Sequence, residues 1–271
     1  NPAGGQMILN NATALTLIGT LTNAGSLALN AVGNATDLIL SGNVTLTGGG
    51  TVTLSNSANN RIYGTVGTER LTTNNLIQGA GSLGLNLMFL TNTGTIVANQ
   101  STALTIDPSA GAGGVINSGT LRADTGRTLI LDAGSYENFA GATPGLIQAN
   151  GGTVQLTSGA TVTNTGATIE ALTGGLVQLA GGTTITGGTL TTSGTGVIRN
   201  VGTATLSGLT NAGAFEQNNA TTTTVVGTIT NTSTLALNAA GNATDLVLSG
   251  NVTLTGGGTV TLSNSANNRI Y

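Results

Sequence analysis

Carboxylates are the first residues to weigh, because this chain offers little else that could do chemistry. Its 271 residues include nine acids, six basic residues that are all Arg, three Tyr, and no His, Cys or Lys. Without His, Cys or Lys there is no base for Ser-His, Cys-His or Ser-Lys nucleophilic catalysis, and no Lys for a phosphate-binding P-loop. Two carboxylates alone could still cleave a glycosidic bond, one as acid and one as base or nucleophile. The densest charged stretch is Arg122, Asp124, Arg127, Asp132 and Glu137. Its simpler reading is a set of charges on turns around the strand TLILD, so no catalytic residue is assigned and the chain is not expected to be an enzyme. A β-helix enzyme acting on polysaccharide stays as an alternative.

Metal chemistry has equally little to work with. Lack of Cys removes thiolate sites and disulfides together. Calcium-binding repeats place Asp inside GGxGxD, whereas the glycines at 48–50 are followed by Thr51 and Val52. Asp37, Asp107 and Asp245 each read as a lone carboxylate in its turn. No metal and no cofactor is expected. The triplets beginning at Asn34, Asn43 and Asn99 fit the N-x-[ST] pattern, but in a chain so rich in Asn and Thr they read as turn residues. Stacked Asn ladders along an axis, with amides about 4.8 Å apart, are the expected use.

The elements that would hold such ladders are strands. Only 6% of residues are charged and 2% aromatic, and there are 44 Gly. Abundant Thr and Val favour a pleated surface, while frequent Gly and Asn break helices and fill turns. An apolar fraction of 38%, alternating with polar residues, sets the chain apart from a disordered linker. In NVTLT, Val44 and Leu46 alternate with Thr45 and Thr47; in GTVTLS, Val52 and Leu54 alternate with Thr51 and Thr53. Turns are expected at 41–43, 47–50, 92–94 and 142–145. Scattered Arg and a net charge of −3 exclude the clustered cations that nucleic acid needs. No run of 18 apolar residues is present, so no helix is expected to span a membrane.

Self-comparison organises these strands at two scales. Residues 10–63 align without a gap on residues 218–271, an offset of 208, with ten differences in 54 pairs and identity from Leu40 to Tyr63. Within that unit a turn-strand motif recurs as LTNAGSL at 21–27, LTNTGTI at 90–96, INSGTL at 116–121 and LTNAGAF at 209–215. The related GGTVQL at 151–156 and GGLVQL at 174–179 lie 23 apart; Asn92 and Asn117 lie 25 apart, Asn164 and Gly187 again 23. A period of this size marks a solenoid, whose coils bury a core only by stacking. The expected fold is all-β: a parallel β-helix or β-solenoid, right-handed from its long and irregular coils. Repeat arithmetic gives about 23 residues per coil and roughly 12 coils. The solenoid should be continuous over residues 1–271, with strands of four to six residues.

These N-x-G-[ST]-[LI] units make the chain resemble the filamentous-haemagglutinin-like and autotransporter-passenger-like repeat proteins of bacteria. The resemblance implies the stalk of an exported surface adhesin, filament or sheath: an extracellular, structural or adhesive rod. Its partners would be further repeats of the same chain, self-associated copies and a carbohydrate or other cell-surface ligand.

Three further expectations follow from the residues. Thr-x-Thr pairs at Thr20/Thr22, Thr45/Thr47, Thr161/Thr163, Thr184/Thr186 and Thr228/Thr230 raise ice binding as an alternative, although their spacing is uneven. Asp37 and Arg61 stand close to one coil apart and should meet across neighbouring coils as a surface ion pair, as should Asp245 and Arg269. Segments 10–63 and 218–271 should share one backbone displaced by about nine coils, or roughly 43 Å, with both ends cut from a longer array.

Overall fold

A computed structural model describes residues 1–111, 113–157 and 159–271. No described residue is helical, and all strand pairing but one small hairpin is parallel. Strands follow one another around the coil onto three ladders, here called faces 1, 2 and 3. Face 1 starts with Gln6–Asn10, which pairs with Ser26–Asn30 and then Thr51–Leu54. Face 2 starts with the first half of Ala14–Thr22, which pairs with the first half of Thr36–Thr47 and then Asn60–Gly64. Face 3 starts with the second halves of those two long strands and continues with Arg70–Thr73.

The chain is therefore a parallel β-solenoid of about 11 turns, with roughly 23 residues per turn. On face 1, eleven register steps lead from Gln6 to Thr255. Most strands have three to five residues, shorter than the alternation alone suggests. Four run longer, because Ala14–Thr22, Thr36–Thr47, Thr222–Asn231 and Thr244–Thr255 bend around a corner without leaving the extended state. The bend falls at a glycine of positive φ in each of them, as at Gly42 (φ 76°), a conformation that side chains strain to adopt. The expected turn at 41–43 is thus a corner inside a strand.

Alternation drives the packing. On face 1, Leu27, Val52, Ile77, Ile96, Leu121, Ile147, Ile169 and Leu190 stack in register, all fully buried. Face 2 adds Leu38, Ile62, Leu83, Ile106, Leu131, Leu156 and Leu179. Burying one such side chain contributes about 1.5–3 kcal/mol, so the stacks offset a charge-poor and disulfide-free composition. Among the described residues, the one antiparallel pairing joins Phe139–Ala140 to Thr143–Pro144, at the turn expected over 142–145.

The two near-identical segments adopt one local structure. Thr36–Thr47 recurs as Thr244–Thr255 and Thr51–Leu54 as Thr259–Leu262, each at the same offset of 208. Backbone conformation follows: Ala12 and Ala220 both have φ of 64°, and Gly19 and Gly227 both have φ of 69°.

Candidate functional site

The recurring N-x-G motif, joined by Asn138 of Asn138-Phe139-Ala140, builds a ladder of buried polar side chains. At the end of a face-3 strand the Asn side chain turns inward, where it must find partners because a buried amide without them costs about 1–3 kcal/mol. It finds them along the axis. Asn92 Nδ2 donates to Asn117 Oδ1 at 2.8 Å, Asn117 to Asn138 at 2.7 Å, and Asn138 to Asn164 at 2.8 Å. All four are buried. The position above Asn164 is Gly187, and there the ladder stops. Of the two spacings read from the sequence, 92 to 117 is therefore a ladder step and 164 to 187 is its end.

The glycine of the motif has a separate cause. A Cβ at Gly119 would overlap the Gly94 carbonyl oxygen, and one at Gly94 would crowd the backbone of Asn74 and Asn75. At these two positions the neighbouring coils approach too closely to admit a Cβ, whereas the coil of Asn164 carries Ala167 at the equivalent place. After it, the Ser or Thr faces out and the Leu or Ile returns to the core, as with Thr120 and Leu121. LTNAGAF breaks the pattern of placement: Asn211 leads from face 1 to face 2, not from face 3 to face 1. There it donates to Asn231 Oδ1 at 2.8 Å, while its own Oδ1 has no partner because Leu190 lies beneath it.

A clasp of charge lies on the outer surface. Asp37 and Arg61 face each other in register on adjacent coils, with Arg61 Nε to Asp37 Oδ1 at 2.7 Å and Nη2 to Oδ2 at 2.6 Å. The Tyr63 hydroxyl donates to Asp37 Oδ2 at 3.3 Å, and the guanidinium lies 5.5 Å from the Tyr63 ring centre. The pair meets as its one-coil spacing predicts, but it is less open than a surface pair: the Asp37 side chain is 13% exposed. The hydrogen bonds from Asp37 hold the Arg61 pKa above its ordinary value. Asp245, Arg269 and Tyr271 repeat the clasp with Arg distances of 2.7 and 2.6 Å, and the Arg269 hydrogen bonds lower the Asp245 carboxyl. Arg61→Ala is expected to cost about 1 kcal/mol in urea unfolding, and a double-mutant cycle with Asp37→Asn should assign most of that to the pair. A coupling indistinguishable from zero would reduce the clasp to a geometry without energetic weight.

The charged stretch from Arg122 to Glu137 does not converge. Arg122 pairs with Asp124 at 2.7 Å beside face 1, Asp132 ends a face-2 strand and Glu137 lies exposed on face 3. Coil stacking instead brings together two acids from successive coils. Ile106 is in register with Leu131, which places Asp107 beside Asp132, and Thr157 donates its hydroxyl to Asp132 Oδ1. The reading of Asp107 as a lone carboxylate is corrected by that register. Burial, then the Asp132 charge, raises the Asp107 carboxyl above its ordinary value. A carboxyl with a raised folded-state pKa costs stability where it is ionised, and the cost disappears as pH falls below the unfolded value. Asp107→Asn should therefore raise the urea midpoint at neutral pH and leave it unchanged near about pH 3. Among the described residues, no group of three or more Asp or Glu is placed to hold a metal ion.

The Thr pairs are in better register than their spacing suggests, yet they form no continuous array. Thr161/Thr163 stack on Thr184/Thr186 and then on Thr205/Ser207 along face 3. Thr20/Thr22 stack on Thr45/Thr47 lower on that face, with Phe89, Ile116 and Glu137 among the residues between the two groups. Thr228/Thr230 lie on face 1, stacked on Thr253/Thr255.

Comparison with known proteins adds no relative: no family model, no curated protein and no solved structure matches this chain.

Proposed function

We propose that this chain is a rod module of a long, repetitive, exported bacterial surface protein, and that its task is mechanical: to give length and stiffness to a fibre, sheath or adhesin stalk. One observation supports this reading most. A stretch of 54 residues recurs 208 positions later with its strands, corners and outer clasp intact, on a core that runs from coil to coil without a break between domains. In a molecule of this kind each coil depends only on its neighbours, so length is added by repetition without disturbing the fold. Function then rests on the ladders, and no single side chain carries it. Likeness of the N-x-G motifs to filamentous-haemagglutinin-like and autotransporter-passenger-like repeats is the ground for placing the rod outside a bacterial cell. Among the described residues, no helix is long and apolar enough to cross a membrane.

Electron microscopy of a chain carrying two, three and four units tests the reading. Contour length should grow by about 45 Å per unit, and the particles should stay straight. Arrays that collapse into beads or bend freely between units would reject a stiffening role. Assays of the same material for thermal hysteresis and for polysaccharide cleavage address the two alternatives, and activity in either would replace the rod reading.

A further inference from the structure

The repeated unit does not contain a whole number of coils. Starting from Asp37 on face 2, nine register steps pass through Arg61, Ser82, Thr105, Ile130, Gln155, Gln178, Arg199 and Glu216 to Ala236. Nine coils above Asp37 stands Ala236, which is the sequence equivalent of Ala28. The true counterpart, Asp245, lies further along the chain and pairs on face 3. The same shift holds elsewhere. Ala28 is on face 1 and Ala236 on face 2; Thr45 is on face 3 and its counterpart Thr253 on face 1.

We infer that the 208-residue unit is a screw element of nine and one-third coils, which turns every surface feature onto the next face at each recurrence. This rests on the rod reading for its consequence but not for its geometry. In a tandem array the Asp-Arg-Tyr clasp and the Thr pairs would point in three directions in turn, returning to one face only after three units. A surface that binds a neighbouring rod is then offered on all three sides, which fits assembly into a bundle and not into a one-sided ribbon. Unequal coils produce the fraction: the step from Arg199 to Glu216 advances the numbering by only 17, while that from Asn138 to Asn164 advances it by 26.

Spin labels on this chain test the screw without assuming what the rod does. Thr45 and Ser249 stand nine steps apart on face 3, through Thr72, Thr91, Ile116, Glu137, Thr163, Thr186, Ser207 and Val226. Labels on Thr45→Cys with Ser249→Cys should lie about 43 Å apart, and on Thr45→Cys with Thr253→Cys roughly 5–10 Å farther, because the second pair also crosses to another face. Equal distances, or the reverse order, would mean that the unit closes on a whole number of coils and would overturn the screw. The rod reading would survive that result, since it fails only on length and stiffness.

Discussion

Leu46→Asp should unfold the coils around residues 20–73, while Thr45→Asp, the same new residue one position away on the same strand, should be tolerated. Leu46 is fully buried, in register with Leu21 below and Thr73 above. An ionised carboxylate there has no partner and no water, a situation that costs about 3–5 kcal/mol when a buried charge is left unpaired. Thr45 points outward and is half-buried, in register with Thr20 and Thr72, so the carboxylate keeps its hydration and the change should cost below about 1 kcal/mol. Hydrogen exchange measures this directly, because contacts reach only adjacent coils and protection reports on each coil separately. Protection should fall at Leu21–Thr22, Val44–Thr47 and Leu71–Thr73 and persist near Leu156–Leu179. If both variants lose protection equally, burial of the Leu46 side chain would not be what holds this rung in place.

Much of this fold is legible in the sequence because alternation and a near-constant period are local signals. Val44, Leu46, Val52 and Leu54 declare their inward side by spacing alone, and all four are buried. The Asp37–Arg61 pair could be placed from one coil length and the rule that equal positions stack. Other features depend on small differences that accumulate between coils. A single coil advances the numbering by as little as 17, from Arg199 to Glu216, or as much as 27, from Asn43 to Arg70. No average period could therefore show that LTNAGAF sits at another corner than LTNAGSL, or that the 208-residue unit overshoots nine turns by a third. Asp107 and Asp132 were within reach, since their spacing equals that of Asn92 and Asn117. Their flanking sequences share no motif, which hides the match. The missing link in each case is register, which is a sum over loops and not a property of any strand.

Asn117→Ala should be the most damaging change at any polar position of the corner ladder. Asn117 accepts from Asn92 Nδ2 at 2.8 Å and donates to Asn138 Oδ1 at 2.7 Å, and it is 1% exposed. Truncation breaks both ladder bonds: Asn138 Oδ1 loses its donor, and Asn92 Nδ2 keeps only its longer bonds to the carbonyls of Gly94 at 3.3 Å and Thr120 at 3.4 Å, so a loss of roughly 2–4 kcal/mol is expected. Ladder ends bear less. At Asn164 the Oδ1 accepts from Asn138, but above it stands Gly187 and its Nδ2 reaches only the carbonyls of Ala167 and Thr189, so Asn164→Ala breaks one ladder bond instead of two. The difference separates a ladder from a row of independent turn residues: urea unfolding should show Asn117→Ala costing about twice as much as Asn164→Ala. Gly119→Ala supplies the control for the corner itself. It keeps every ladder bond but sets a methyl group against the Gly94 carbonyl oxygen, so the coils must part there. Should Asn117→Ala prove mild while Gly119→Ala is severe, close approach of the backbones, and not the chain of amides, would be what holds successive coils together at this corner.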